Sequence, residues 1–201
     1  MDINAGLSLG RYTREIELLE QLSKQGESYA NAEGRFGWRN PVRSDTGPLL
    51  TSLVAAANPL RVLEIGTGHG LSTLYLAEGL QREEAELHTL EFDAAVAASS
   101  QELFHRCGAP VKVFAGDALQ TIPALPGGYD VVFFDAQKDQ YYAQLAALLK
   151  HSLLSPSCLI LADNVTDRTA ECQSFLDFMM ANTVDCEVRP TECGLLVATL
   201  H

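Results

Sequence analysis

The chain predicts an α/β fold: a Rossmann-like, doubly wound, mostly parallel sheet of seven strands, with a C-terminal antiparallel hairpin and helices on both faces. Three observations carry this expectation. After Arg61, short apolar runs alternate with stretches of helical periodicity; the first run leads into a glycine-rich turn; and several runs end on an acidic residue. Regular alternation of strand and helix implies parallel pairing through right-handed crossovers.

Taken in order, "TREIELLEQLSKQ" and "TGPLLTSLVAAA" predict two helices ahead of the core, the second capped by Asp45 or Thr46. Between them "NAEGRFGWRNP" is glycine-rich and aromatic, a flap. "RVLEI" is the first strand, and "LSTLYLAEGL" places Leu71, Leu74, Tyr75 and Leu80 at helical spacing behind the glycine turn. The unit then recurs: "ELHTLE" with "DAAVAASSQELFHRC", "VKVFAG" with "DALQTIPAL", "YDVVFFD" with "DQYYAQLAALLKHSL", and "SCLILAD" with "AECQSFLDFMMAN". "DCEVRP" and "GLLVATL", joined by a short "TEC" turn, close the chain as a hairpin at the sheet edge. One domain is expected over residues 1–201, with N-terminal helices and flap over 1–58 and the Rossmann-like core over 61–201.

At 201 residues, 47% hydrophobic and 20% charged, the composition is that of a globular chain and excludes a disordered or fibrous one. The formal net charge of −12 and a pI near 4.7 repel phosphate backbones and anionic membrane surfaces, so nucleic acid is a disfavoured partner. Five cysteines form no C-x-x-C pair, and their odd number argues against a complete disulfide framework. A cytoplasmic location is the expectation. No run approaches the roughly 18 apolar residues of a membrane span.

Ligands of open parallel sheets bind beyond the carboxyl ends of the strands, where strand order reverses. Polar residues that end the apolar runs are therefore site candidates. In "LEIGTGHG", Gly66, Gly68 and Gly70 permit a tight turn and close approach of backbone to ligand, although Leu71 occupies the place of the dinucleotide fingerprint's third glycine. Glu91 ends the second run, where a carboxylate accepts both hydroxyls of a ribose or stands solvated. Asp117 in "AGDAL" either holds an adenine amino group or caps the next helix. Together these outline a pocket for an adenosine-bearing cofactor.

Through "VLEIGTGHGLST", "TLEFD", "GDAL", "VVFFDAQK" and "LADNV", in that order, the chain resembles the class I S-adenosylmethionine-dependent O-methyltransferases of the metal-requiring catechol and caffeoyl-CoA type. The resemblance runs from about Pro41 to Leu200. It implies that Glu64, Gly66 and Ser72 lie around the methionine part of S-adenosylmethionine, that Thr67 and Gly68 also bind this cofactor, and that Glu91 binds its ribose. It also implies that Asp117 and Ala118 border the adenine, and that Val42 and Asp135 lie beside the cofactor.

Asp135 ends the fourth apolar run, while Asp163 and Asn164 end the fifth, its neighbour in such a sheet. Adjacent strand residues point to opposite faces, so Asp163 and Asn164 converge only if the strand has already broken into a turn. Two carboxylates and an amide oxygen are hard ligands that suit Mg²⁺, Mn²⁺ or Ca²⁺ better than zinc, with Mg²⁺ the first choice. The competing reading is ordinary turn chemistry and a helix cap. The family pattern gives Lys138 the role of general base on an acceptor hydroxyl; otherwise it is a solvated lysine paired with Asp139 or Asp163. Asn164, Lys138 and Trp38 would face the acceptor, a small molecule with catechol-like or vicinal hydroxyls, Trp38 either walling its ring or anchoring the flap.

Two departures stand out: Gln137 occupies the position of a family acid, and "TDRT" after "ADNV" is short where relatives carry a longer glycine-rich segment. The resemblance also implies a homodimer. Three rivals share the sheet. They are a family member that methylates a transfer RNA base hydroxyl, disfavoured by the acidic balance; a nicotinamide-dependent oxidoreductase, disfavoured by Leu71; and a cofactor-binding domain without turnover.

Overall fold

The computed structural model describes residues 10–24 and 41–200. Helices α1 (Thr13–Lys24) and α2 (Thr46–Ala57) precede strand β1 (Arg61–Ile65). There follow α3 (Leu71–Gly79), β2 (Glu86–Glu91), α4 (Ala94–Cys107), β3 (Val111–Ala115), α5 (Ala118–Thr121), β4 (Tyr129–Phe134), α6 (Tyr141–Lys150), β5 (Leu154–Ala162), α7 (Thr169–Asn182), β6 (Thr183–Arg189) and β7 (Leu195–Leu200). The seven strands form one sheet in the order β3-β2-β1-β4-β5-β7-β6. The first five pair in parallel, and β7 is antiparallel to both β5 and β6. Strand order reverses between β1 and β4, so the loops after these two strands leave in opposite directions and open a crevice.

Period-2 alternation divides the core into two layers. Leu63, Ile65, Val132, Phe134, Ile160 and Ala162 face the layer that holds α6 and α7, through Tyr141, Leu145, Leu148, Phe175 and Met179. Val62, Val131, Phe133 and Leu161 face the other, filled by Leu50 and Val54 of α2, Leu74 and Leu76 of α3, and Phe104 of α4. Tyr12 and Ile16 at the start of α1 join this second layer. With both faces covered, the central strands are continuous apolar runs.

Three local expectations are corrected. The helix expected over "DALQTIPAL" is a single α-turn, α5, followed by a 3-10 turn at Ile122–Ala124, because Pro123 has no N–H to continue the ladder. Strand β5 begins at Leu154, ahead of the expected Ser157, with a register shift opposite Tyr129–Val131 that accommodates Pro156 and the left-handed Ser157. Neither Asp45 nor Thr46 caps α2: Asp45 has helical angles, and its Oδ2 accepts the Glu192 N–H at 2.8 Å. It ties the entry of α2 to the β6–β7 turn instead.

Candidate active site

At the carboxyl ends of β1, β2, β3 and β4 lies a cleft of about 630 Å³, a volume suited to a nucleoside-sized ligand. Val42, Gly66, Thr67, Gly68, Ser72, Glu91, Asp117, Ala118, Asp135, Lys138 and Asn164 all line it, so the sequence reading gathered most of its candidates at one place. Trp38 lies outside the described residues. Glu64 and Asp163 are not on the wall; both are buried just behind it.

The β1 end is fixed by backbone. Gly66 N–H and Thr67 N–H both donate to Leu90 O, at 3.0 and 3.2 Å, while Asp135 N–H donates to Ile65 O at 2.9 Å. Behind this turn Glu64, fully buried, accepts hydroxyl hydrogen bonds from Ser72 (2.6 Å), Thr73 (2.5 Å) and Thr89 (2.6 Å). It braces the glycine loop and α3 rather than the cleft surface. Burial pushes its carboxyl up to about 7, against the lowering effect of the three hydroxyls and with a smaller raising contribution from Asp135. The native state thus keeps the proton in a range where the unfolded chain has lost it. Its stabilising contribution is complete below the ordinary carboxyl range of about 4.5 and lost as pH rises through about 7. Glu64→Gln should therefore flatten the decline in thermal stability between pH 5 and 8 by roughly 3 kcal/mol at most. Parallel melting curves for the two proteins across that range would refute this.

Glu91, at the end of β2, is held by two backbone donors: Gly68 N–H to Oε2 at 2.9 Å and Asp93 N–H to Oε1 at 3.0 Å. Its carboxylate is oriented before any ligand arrives, and each oxygen keeps acceptor capacity. Asp117 is the N-cap of α5, with Oδ1 accepting from Leu119 N–H at 2.8 Å, so the capping alternative is realised in the cleft wall. Phe92 stands 78% exposed at the lip.

The β4 and β5 ends carry the acids. Strand β5 stops at Ala162, and Asn164 adopts the left-handed conformation with φ 64°, the break that lets Asp163 and Asn164 turn to one side. Lys138 Nζ lies 2.9 Å from Asp135 Oδ1, which makes Asp135 the lysine's partner in place of Asp139 or Asp163. Burial pushes the Asp135 carboxyl up, and Lys138 pulls it back. Burial, then the Asp135 charge, raise Asp163 to about 7, partly offset by the Asn164 backbone N–H. Asp163 Oδ1 is buried with no hydrogen-bond partner. Two close carboxylates with one orphaned oxygen fit a divalent cation, which would supply both the missing partner and the neutralising charge. Among the described residues no group of three His, Cys, Asp or Glu side chains is placed to hold a metal, so the set depends on the amide of Asn164.

Tyr141, at the start of α6, packs in the core and does not line the cleft, yet it braces the site from beneath. Its ring is buried, and its hydroxyl lies 2.9 Å from Phe134 O and 3.2 Å from Asp163 O, joining the ends of β4 and β5 beneath the acids. An aromatic at the start of an amphipathic helix carries no sequence signal for that duty. Gln144 was also missed: it lines the cleft from α6, and its Oε1 is buried without a partner.

The methyltransferase-domain family matches residues 63–165, just over half of the chain and the span that contains the glycine loop, Glu91, Asp135 and Asp163. The chain belongs to this family. It is similar to a catechol O-methyltransferase of Mycobacterium tuberculosis, 36% identical over 130 residues, or 63% of this chain and 58% of that protein. Catechol O-methyltransferase B of Danio rerio is 32% identical over 174 residues, covering 79% of this chain and 66% of that one. The SAH-bound methyltransferase PaMTH1 of Podospora anserina superposes with a TM-score of 0.73 at 25% identity, covering 92% of this chain and 96% of that one. The chain spans 47% to 58% of the length of three curated relatives that it matches. Among its described residues no helix is long and apolar enough to cross a membrane.

Proposed function

We propose that the chain is an S-adenosylmethionine-dependent, divalent-metal-dependent O-methyltransferase that acts on a small acceptor with catechol-like or vicinal hydroxyls. The observation that carries this reading is the continuity of one cleft, from the pre-oriented Glu91 carboxylate at one end to the Asp135, Lys138 and Asn164 side chains at the other. S-adenosylmethionine supplies a methyl carbon on a positively charged sulfur, which leaves with the bonding pair when an oxygen attacks; a cation, Mg²⁺ first and Mn²⁺ or Ca²⁺ next, supplies positive charge that favours an ionised hydroxyl.

The chain's own residues do the rest. Glu91 accepts the ribose hydroxyls, while Gly66, Thr67, Gly68 and Ser72 shape the methionine end. Asp117 and Ala118 border the base, and Val42 closes the side. Glu64 acts from behind, by holding Ser72. Asp135, Asp163 and Asn164 would hold the cation. Lys138, 14% exposed beside Asp135, would take the hydroxyl proton on Nζ only as the neutral amine, since the ammonium that pairs with Asp135 has no free electron pair, and the oxygen then becomes the nucleophile. Among the cleft-lining residues Glu91, Asp117, Asp135, Asp139 and Glu171 outnumber Lys138 and Arg168, a balance that disfavours a polyanionic acceptor such as RNA. The names of the curated relatives support a catechol-like acceptor. The resemblance also suggests a homodimer, and five cysteines without a C-x-x-C pair suggest a cytoplasmic location.

The test is methyl transfer from labelled S-adenosylmethionine to a panel of catechols, with and without chelator. Activity should vanish when the divalent metal is removed and return with Mg²⁺. Turnover indifferent to chelator would take the metal out of the mechanism.

A further inference from the structure

We propose that Asp167 is a positioning residue that aims the amide oxygen of Asn164 at the cation site. The inference rests on the metal reading above. Asn164 Nδ2 lies 3.2 Å from Asp167 Oδ1 and 3.3 Å from Asp167 Oδ2. An ionised carboxylate only accepts hydrogen bonds, so the group that faces it is the NH₂ and not the carbonyl. Oδ1 of Asn164 therefore points away from Asp167, and Asn164 lines the same cleft as Asp135. A primary amide is a poor cation ligand if it is free to turn, because the flipped rotamer presents two N–H donors to the metal. Asp167 removes that rotamer.

The backbone leaves the arrangement to this pair. Asn164 is left-handed, its own N–H serves the Asp163 carboxyl, and its C=O accepts from Arg168 N–H at 3.1 Å. Only the side-chain amide remains unfixed, and Asp167 fixes it from three residues on. Asp167 falls in the short "TDRT" segment that follows "ADNV", ahead of α7. Outer partners that orient metal ligands typically change metal affinity by about 10- to 100-fold when removed.

Mn²⁺ binding to the full chain, without cofactor or acceptor and read by electron paramagnetic resonance of free Mn²⁺, tests this independently of turnover. Asp167→Ala should weaken Mn²⁺ about tenfold without lowering the melting temperature by more than a few degrees. Asp167→Asn, which keeps an acceptor oxygen but loses the charge, should keep most of the affinity. In an Asn164→Asp background there is no amide to aim, and Asp167→Ala should shift the affinity less than about threefold. Equal weakening in both backgrounds, or equal loss in the Ala and Asn variants, makes Asp167 a mere distant charge and overturns the proposal. Wild-type protein that binds no Mn²⁺, or Mn²⁺ binding that survives Asp135→Asn, overturns the metal reading itself, a result distinct from failure of the Asp167 cycle alone.

Discussion

Asp163→Asn is expected to cost at least about 1,000-fold in methyl transfer, roughly 4 kcal/mol, while making the metal-free protein more stable. The two effects share one cause. Asp163 is 2% exposed, has an unpartnered oxygen, and is pushed up to about 7 by burial and by the neighbouring Asp135 charge. At pH 8 the metal-free fold holds two ionised carboxylates against each other, and a neutral amide of the same shape relieves that by about 1–2 kcal/mol. For a domain of this size the melting temperature should rise by a few degrees. The same amide is a weaker cation ligand, so turnover falls. Cofactor affinity should stay within about threefold of wild type, because Glu91 and the glycine loop are untouched. Glu91→Ala should do the reverse and weaken cofactor binding about 10- to 100-fold, as expected when a half-buried charged acceptor is removed. Calorimetric titration with S-adenosylmethionine, a melting curve and a rate assay on both variants decide the matter. Retained turnover in Asp163→Asn, or equal cofactor loss in both proteins, would separate Asp163 from the chemistry.

The second large effect is structural. Gly66→Ala should destabilise the fold by about 2–4 kcal/mol and lower the melting temperature by about 5–15 °C. Gly66 has φ 109°, and a Cβ there would sit 2.6 Å from the backbone oxygen of Asp135 and 2.9 Å from Ala136 N. Neither the angle nor the contact tolerates a side chain, and the obstacle is main chain that cannot swing aside. The displaced peptide is that of Asp135 itself, so the variant should also bind cofactor and metal poorly at temperatures where it remains folded. An alanine variant that melts with wild type would mean that the two strand ends are not held as close as this geometry requires.

Much of this could be read from residue order. The five parallel strands were legible because two-sided burial makes them near-continuous apolar runs, and the acids that end them broke those runs visibly. Glu91 and Asp135 reached the cleft for that reason. Other features were hidden because they depend on neighbours distant in sequence. Asp45 looked like a helix cap, but its carboxylate is taken by Glu192 N–H on the far hairpin. Lys138 is the exception: it was read with Asp139 or Asp163, and the turn after β4 pairs it instead with Asp135, only three residues before it. Glu64 reads as a cleft residue by motif, yet three hydroxyls, one of them on β2, enclose it behind the wall.

The sequence by itself determined the alternation of strand and helix, the glycine turn and the identities of the acids, since local periodicity and side-chain chemistry are properties of the chain order alone. Tertiary structure alone decided which oxygens stand unpaired, which hydrogen bonds hold them and which carboxyls share a charge. Those depend on burial and on distances between β1, β4 and β5, and a low-dielectric interior makes an ångström of separation decisive.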